Sequence, residues 1–482
     1  MLPTERQARR HDLRGRVAGR LALLALVLWV WTAAPGQVRP VAIEGATIFT
    51  GDGATIESGR LLFQGGKITG VGRDVSKPFL ARSIDAKGKY ITPGLIDAYS
   101  TLTLGVATAG GQAVARAADA FDPYDRDDLR AALAQGVTAA FVPARAAGGV
   151  GGLGAVVRLR PGASREEVVL KDDAALCAAL NPEGRQRPVE RVRALVELRK
   201  VFRAAREYRE SWDTYLEDLK EYEEKLAERA KKGESGGDDT RPKPETKPGE
   251  SRPGPAGKAQ ERKDEPKGSD AKAEEKKDEL KKPTAPGIDR NLAQILKALD
   301  GELRVHIEAH EPADILNVLE LAAEFNLALV LDGAAGAGEV APRLAAAGIP
   351  VVLASLPAPL AFTPGPDRLA QADVAARLRA AGVEVYFGSG HVPSGATPVL
   401  ALQAARAIGQ GYDDSDALAT LTSRAARMLG VADQVGRLAS GLQADVVVWS
   451  DHPFAAGARV ERVFIAGREV YVAGGAAQEG GE

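Results

Sequence analysis

The chain has 482 residues, and its 63 Lys and Arg nearly balance its 65 Asp and Glu, which leaves a formal charge of −2. Because there is no basic surplus to attract phosphate groups, this composition argues against nucleic-acid binding. A single cysteine, Cys177, excludes a disulfide framework and a zinc site built from several cysteines.

The N-terminal segment has the layout of an export signal. Arginines up to position 20 precede an unbroken apolar run from Leu21 to Trp31, and small residues near Gly36 suit cleavage before Gln37. The run is too short for a spanning helix, which needs about 20 apolar residues, and no later stretch is long and apolar enough to span a membrane. We therefore predict a signal peptide over residues 1–36 and a secreted protein, periplasmic or extracellular, with membrane anchoring by this segment as the alternative.

Short strand-like runs separated by glycine occupy residues 41–85, and matching runs return only at 445–472. Runs of this kind are typical of strands joined by turns. We therefore predict that both chain ends, residues 37–89 and 432–482, form one small composite β-sandwich domain.

Between the two ends, apolar strand-sized runs alternate with helical patterns, as expected for repeated βα units around a parallel sheet. Seven such runs are evident, and an eighth is suspected at Val168 to Leu170. About eight units fit a closed (β/α)8 TIM-like barrel better than an open sheet. The predicted fold class is therefore α/β, with the barrel over residues 90–197 and 288–431. The seven runs are 94–98, 137–142, 155–159, 304–307, 328–331, 350–353 and 383–387.

Two segments interrupt the barrel pattern. From Leu198 to Leu226, apolar residues recur at alternating intervals of three and four, which predicts a long amphipathic helix over residues 198–230. This stripe either packs against the outer helices of the barrel or forms a coiled-coil arm that binds a protein partner or a second copy. Residues 231–287 lack aromatic side chains and mix Lys, Glu, Asp, Pro and Gly, which predicts a disordered charged linker.

A glycine-rich stretch, Gly149 to Gly154, matches the spacing of a dinucleotide-binding loop. It leads into an apolar strand rather than a helix, and no acidic residue is placed to bind a ribose. We therefore expect a glycine-rich loop at the mouth of the barrel.

The stretch from Tyr90 to Ala98, with the sequence YITPGLIDA, carries the most specific signal in the chain. It resembles the metal-dependent amidohydrolase superfamily, in particular the imidazolonepropionase-like branch, whose members have a similar segment leading into the first barrel strand. Segments similar to the family also occur at 134–138, 346–351, 420–429 and 435–448, so the resemblance covers most of residues 41–472 apart from the helical arm and the linker. The resemblance implies a barrel with a split β-unit, and hydrolysis of a non-peptide C–N bond in a cyclic amide or a related small molecule.

The resemblance also implies one or two divalent metals at the barrel mouth, which lower the pKa of a bound water and polarise a carbonyl. The family holds them with His-x-His after the first strand, often a carboxylated Lys on the fourth, His on the fifth and sixth, and Asp on the eighth. Most of these positions carry other residue types in this chain, so we expect no resident metal and no cofactor. They are Tyr99 and Thr101 for His-x-His, Cys177 for the Lys, Gly333 for the sixth-strand His, and Ser389 with Gly390 for the Asp.

One ligand position retains a histidine, on the predicted fifth strand, as His306 or as His310. Outside a metal site, we expect His306 to be a hydrogen-bonded core residue and His310 to lie in a loop. Since a catalytic zinc usually takes three protein ligands, the leading hypothesis is a catalytically impaired amidohydrolase homologue that serves in binding or assembly.

The alternative is an active hydrolase that holds zinc or another divalent metal with an atypical ligand set. That set would be drawn from His306 or His310 together with His391, Asp97 and Asp332. A substrate pocket at the barrel mouth would be lined by Tyr99, Thr101, Cys177, Gly333, Gly390 and His391.

Overall fold

The computed structural model describes residues 39–104, 112–145, 148–180, 188–233, 280–354, 373–390 and 400–474. Contacts divide the chain into two units, one that ends at Phe202 and resumes at Arg290, and one that runs from Arg203 to Asp289. The predicted signal peptide and most of the predicted linker fall outside the described residues. Among the helices of the described ranges, none combines the length and the apolar character that crossing a membrane requires.

Strands from both ends of the chain form one sheet, which confirms the predicted composite β-domain. They are β1 (Val41–Phe49), β2 (Thr55–Gln64), β3 (Lys67–Gly72), β4 (Arg82–Asp85), β5 (Tyr90–Pro93), β14 (Val446–Trp449), β15 (Val460–Ile465) and β16 (Arg468–Val472). The order across the sheet is β16-β15-β14-β5-β1-β2-β3, and β4 pairs with β1. The sheet encloses an apolar core in which the ring centroids of Phe63 and Phe464 lie 5.3 Å apart. Because β5 belongs to this sheet, the small domain extends to Pro93, beyond the predicted boundary at residue 89.

A second sheet, of strands adjacent in chain order, forms the barrel. They are β6 (Leu95–Asp97), β7 (Val137–Val142), β8 (Gly149–Arg158), β9 (Val169–Ala179), β10 (Arg304–Ala309), β11 (Leu329–Gly333), β12 (Val351–Leu353) and β13 (Val385–Phe387). Hydrogen bonds from Ala98 N to Phe387 O, at 3.1 Å, and from Gly390 N to Tyr99 O, at 2.9 Å, join the first strand to the last. This closure of an eight-strand sheet confirms the predicted barrel.

Strand β8 runs antiparallel to β7 and β9, so the prediction of an entirely parallel sheet is wrong at this strand. The chain between Val142 and Gly149 is too short for a parallel crossover, which needs about a dozen residues, and it forms a hairpin connection instead. The prediction that the glycine-rich stretch is a loop at the barrel mouth is also wrong. Its residues begin β8 and pair with β9, Gly149 opposite Ala179.

Helices cover the barrel and connect its strands. Helix α2 (Arg126–Leu133) begins at a cap that the sequence encodes, because the Asp125 side chain accepts a hydrogen bond of 3.2 Å from Asp128 N. A short 3₁₀ helix, Ala337–Val340, precedes α7 (Ala341–Ala347). The helices are α1 (Ala117–Ala120), α2 (Arg126–Leu133), α3 (Arg165–Val168), α4 (Pro188–Gly233), α5 (Arg290–Leu299), α6 (Pro312–Phe325), α7 (Ala341–Ala347), α8 (Val374–Ala380), α9 (Leu400–Gly409), α10 (Asp414–Thr420) and α11 (Ser423–Leu429).

Helix α4 is longer than the predicted helix of residues 198–230, and its first part belongs to the first unit. There Leu198 and Phe202 are fully buried. The ring centroids of Phe202 and Phe325 lie 5.3 Å apart, and Arg199 Nε lies 2.7 Å from Glu324 Oε2, so this part of α4 packs against α6. Of the two alternatives for the apolar stripe, packing against an outer helix of the barrel is therefore observed for its beginning.

Candidate functional site

Strand β10 presents three polar side chains at alternate positions, His306, Glu308 and, directly after the strand, His310. Because side chains of a strand alternate between its two faces, these three share a face. They are 2%, 3% and 7% exposed, and the neighbouring Asp332 of β11 is 1% exposed. Four ionisable groups are therefore gathered on two adjacent strands and shielded from water.

His306 forms a pair with Asp332. Its Nδ1 lies 3.0 Å from Asp332 Oδ2 and 3.2 Å from Oδ1, and its ring centroid lies 4.5 Å from that of Phe141. Burial raises the pKa of Asp332, while the charge of His306 and its hydrogen bond act in the opposite direction. A carboxylate on one ring nitrogen fixes the orientation of an imidazole, so the prediction of a hydrogen-bonded His306 is confirmed.

Glu308 connects side chains from three parts of the barrel. Tyr99, which follows β6, donates a hydrogen bond of 2.8 Å from its hydroxyl to Glu308 Oε2. Oε1 of the same carboxylate lies 3.2 Å from His310 Nε2. Arg145, after β7, holds its Nε 3.9 Å from Oε2, and within the described residues this buried Nε has no hydrogen-bond partner.

The phenol of Tyr99 stays protonated in this setting. Burial first, and then the negative charge of Glu308, raise the pKa of Tyr99 well above its usual value. Glu308 also raises the pKa of Asp332 through its charge, so the Tyr99–Glu308–His310 group and the His306–Asp332 pair belong to one electrostatic network.

Gly333, at the predicted position of the sixth-strand histidine, lies against the ring of His310. A Cβ atom on Gly333 would be 2.4 Å from His310 Cε1, and the backbone there has a φ of +82°. A side chain at position 333 and the observed placement of His310 therefore exclude each other.

Asp97 lies where the first and last strands meet rather than in the His306 network. Its carboxylate accepts hydrogen bonds from Ser389 N at 2.9 Å, from the Ser389 hydroxyl and from Tyr99 N at 3.2 Å. Thr101 N donates to Gly390 O at 3.0 Å across the same junction. Burial raises the pKa of Asp97 to about 6. These residues close the barrel.

Cys177, at the predicted position of the carboxylated lysine, lies on β9 directly opposite His306 in the strand register. It is 4% exposed, and burial raises the pKa of its thiol to about 12. The thiol is therefore protonated at neutral pH.

The structure thus joins His306, Asp332 and His310 in one network and places Asp97 at the barrel junction, while His391 lies outside the described residues. Within the described ranges, no three His, Cys, Asp or Glu side chains are arranged so that they could hold a metal ion. Sequence reasoning missed Glu308, although the alternate spacing from His306 to His310 was a usable signal. It also missed Arg145, for which the sequence offers no signal.

Comparisons with known proteins agree with this fold. A model of the amidohydrolase family matches residues 98–470. The structure of an amidohydrolase from Thermotoga maritima MSB8 is 26% identical, with a TM-score of 0.64, and the match covers 90% of this chain and 100% of that one. The structure of A. niger ochratoxinase is 16% identical over 91% of this chain and 97% of that one, with a TM-score of 0.49. The structure of molinate hydrolase is 15% identical over 90% and 95%, with a TM-score of 0.47. No curated protein matches the sequence.

Proposed function

Because the chain belongs to the amidohydrolase family, we propose that it is a catalytically impaired member that keeps its barrel for binding or assembly. The observation that carries this proposal is the hydrogen bond of 2.8 Å from the Tyr99 hydroxyl to Glu308. Tyr99 stands where the resemblance places the first histidine of His-x-His. Its side chain links the first barrel strand to the fifth across the barrel mouth. The position that carries a metal ligand in an active member therefore carries an internal contact here.

Two of the positions where the family holds its metal, those of Tyr99 and Cys177, supply no donor that fits a divalent metal. A divalent metal binds a tyrosine through its phenolate oxygen and a cysteine through its thiolate sulfur, so each side chain must lose its proton first. Burial keeps Tyr99 and Cys177 protonated, because it raises the pKa of both side chains. We therefore derive no catalytic step through a metal.

The packing of His310 supports the same proposal. In the observed arrangement, His310 fills the space that a side chain at position 333 would need. Restoring the sixth-strand histidine would displace His310 from Glu308, so the chain cannot hold both imidazoles at once without rebuilding this part of the barrel.

The barrel mouth keeps one group suited to binding. Arg145 Nε is buried without a hydrogen-bond partner among the described residues, and an unpaired buried donor costs about 1–3 kcal/mol. A small ligand that accepts a hydrogen bond would remove this cost. We propose such a polar small molecule as the ligand of the barrel mouth.

The N-terminal segment extends the proposal to location. Residues 1–36, with their basic start and short apolar run, support export to the periplasm or the outside of the cell. N-terminal sequencing of the protein recovered outside the cytoplasm would find Gln37 first. Recovery of the protein only in the membrane fraction, with residue 1 intact, would instead support an uncleaved anchor.

A second candidate function is metal-dependent hydrolysis of a non-peptide C–N bond with an atypical ligand set. It is favoured by two imidazoles, His306 and His310, and two carboxylates, Glu308 and Asp332, lying on neighbouring strands. The two candidates differ in metal content and in turnover.

The test measures both on the full chain, purified without a histidine tag from zinc- and manganese-replete medium. We expect metal well below one ion per chain by mass spectrometry, and no hydrolysis of a panel of cyclic amides. The matched variant Tyr99→His/Thr101→His should gain no turnover, because Gly333 and Gly390 remain. The proposal would be overturned, and the second candidate established, if the unchanged chain held a stoichiometric metal and showed measurable hydrolysis, and if His306→Ala removed both.

A further inference from the structure

The later part of helix α4, in the unit from Arg203 to Asp289, carries an apolar stripe that is covered on one side. Tyr208, Trp212, Tyr215, Leu219 and Tyr222 form this stripe, which we call the aromatic stripe, and all five are half-buried. The residues between them are exposed, apart from Arg209. Leu216 on the same helix is 55% exposed, so burial follows the stripe and not the residue type.

The first three rings of the aromatic stripe, those of Tyr208, Trp212 and Tyr215, contact one another in a row. The ring centroids of Tyr208 and Trp212 lie 6.3 Å apart at 85°, and those of Trp212 and Tyr215 lie 5.8 Å apart at 87°. Edge-to-face contacts of this kind hold the rings in fixed orientations. The helix thus presents flat ring faces and polar ring edges along one side.

The segment that returns from the linker has a complementary pattern. In residues 280–289, Leu280, Pro283 and Pro286 are half-buried, and every residue between and after them is exposed, including Ile288 at 81%. Burial at every third residue is the periodicity of a polyproline II helix, which proline favours. Among the described residues of this unit, this segment is the only part that lies outside α4.

One hydrogen bond fixes where the segment lies on the helix. Asp289 N donates to the Tyr208 hydroxyl at 3.3 Å, which sets the end of the segment at the start of the aromatic stripe. From Asp289 back to Leu280, a polyproline II helix spans about 28 Å. From Tyr208 to Tyr222, the ends of the aromatic stripe, an α-helix spans about 21 Å. The returning segment therefore has the length needed to run along the whole stripe.

We propose that the aromatic stripe is a recognition surface for a polyproline II segment, and that its occupant is the chain's own Leu280 to Asp289. Aromatic side chains bind such segments in many peptide-recognition domains, because the segment is already extended and presents proline rings at regular spacing. Both ends of the charged linker are then held at the later part of helix α4. This inference concerns the arm alone and is independent of the function proposed for the barrel.

The test follows Trp212 by fluorine NMR of the full chain labelled with 5-fluorotryptophan, with the Trp212 signal assigned from a Trp212→Phe variant. In Pro283→Ala/Pro286→Ala we expect the Trp212 signal to shift, because the proline rings leave the indole. The matched control Lys282→Ala/Thr284→Ala changes two exposed residues of the same segment and should leave the signal in place. The signal of Trp449, which is buried in the small domain, should not move in either variant.

A synthetic peptide with the sequence of residues 280–289, added to the double proline variant, should return the Trp212 signal saturably to its original position. A Trp212 signal that is the same in the proline variant and the unchanged chain would overturn the proposal, and so would a peptide without effect. Tyr208→Phe gives a second measurement that leaves the segment intact, since we expect faster hydrogen exchange at the Asp289 amide. A protein of two-chain mass that becomes one-chain in the proline variant would assign the occupant to a second copy and overturn the intramolecular assignment.

Discussion

Two buried carboxylates, Asp445 and Glu308, each have an arginine beside them, and the two pairs are built differently. Arg158 Nε lies 3.2 Å from Asp445 Oδ2, with side chains 8% and 3% exposed. Arg145 Nε lies 3.9 Å from Glu308 Oε2, with side chains 15% and 4% exposed. The first pair is in direct contact, whereas the second is separated by more than a hydrogen bond.

The partners explain the difference. Asp445 also accepts a hydrogen bond of 2.7 Å from Ala466 N, so it joins barrel strand β8 to the small domain. The two carboxylate oxygens of Glu308 form hydrogen bonds with Tyr99 and His310, and Arg145 Nε has no hydrogen-bond partner among the described residues. Arg158 thus bonds directly to its carboxylate through Nε, although its Nη2 has no partner among the described residues, whereas the Nε of Arg145 that faces Glu308 makes no hydrogen bond at all.

Asp445→Ala is expected to have the largest effect of the variants that test this comparison. It leaves Arg158, which is 6% exposed, as an unpaired buried charge, so the free energy of unfolding should fall by about 3–5 kcal/mol. Urea denaturation measures this loss. The control Glu57→Ala breaks an exposed pair with Arg73, 78% and 64% exposed, and should cost about 0–1 kcal/mol. Equal losses in the two variants would contradict a structural role for Asp445.

Asp97 provides a carboxylate without an arginine, and its contribution to the free energy of unfolding should depend on pH. Burial raises its pKa from 3.8 to about 6, so the folded state binds the proton more tightly than the unfolded state. Stability from this group is present below about pH 4 and is lost as the pH rises to about 6, by up to about 3 kcal/mol. Unfolding free energies at several pH values should show this fall in the unchanged chain and lack it in Asp97→Asn. Parallel curves for the two proteins would show that Asp97 ionises normally.

Gly333→Ala examines the crowding beside His310. Both Gly333 and the control Gly348 have a positive φ, +82° and +64°, but only Gly333 has atoms within 4 Å of the added Cβ. We expect Gly333→Ala to destabilise the fold by about 1–3 kcal/mol more than Gly348→Ala, because the new methyl group overlaps the imidazole. Adding His310→Ala should remove most of this excess in a double-mutant cycle. An excess that persists without the imidazole would place its cause elsewhere.

Tyr99→Phe is expected to have the smallest effect. It removes the hydroxyl that donates to the buried Glu308, at a cost of about 1–2 kcal/mol by denaturation. In the control Tyr386→Phe the lost hydroxyl donates at 3.1 Å to Glu384, whose side chain is exposed and can bind water instead. That control should cost about 0.5 kcal/mol, and a ranking in the reverse order would argue against Glu308 as the centre of the network.

The sequence predicts much of the fold because apolar runs and their spacing are local properties. The runs at 137–142, 304–307 and 383–387 all lie on barrel strands or their edges. The predicted parallel direction of β8 is wrong, because the pattern of apolar residues is the same for parallel and antiparallel strands. The short connection before Gly149 held that information, because a parallel crossover does not fit in it.

The sequence predicts which positions form the candidate site, but it does not predict which of their side chains contact one another. The resemblance pointed to Tyr99, Gly333 and His310 as residues of the barrel mouth. The hydrogen bond from Tyr99 to Glu308 joins residues far apart in the chain, and the exclusion between His310 and a side chain at position 333 depends on backbone geometry. Neither follows from residue type, because both arise only when the barrel closes.

The pairing of β5 with β14 has a consequence for how the protein is made. Tyr90 lies opposite Trp449 in this pair, so the edge of β5 that faces β14 stays unpaired until β14, far later in the sequence, has left the ribosome. The barrel strands pair mainly with strands made just before or after them, and contacts between close neighbours in sequence form faster than distant ones. During synthesis, the small domain therefore keeps an open strand edge while all the barrel strands are made, and β14 is the strand that covers it.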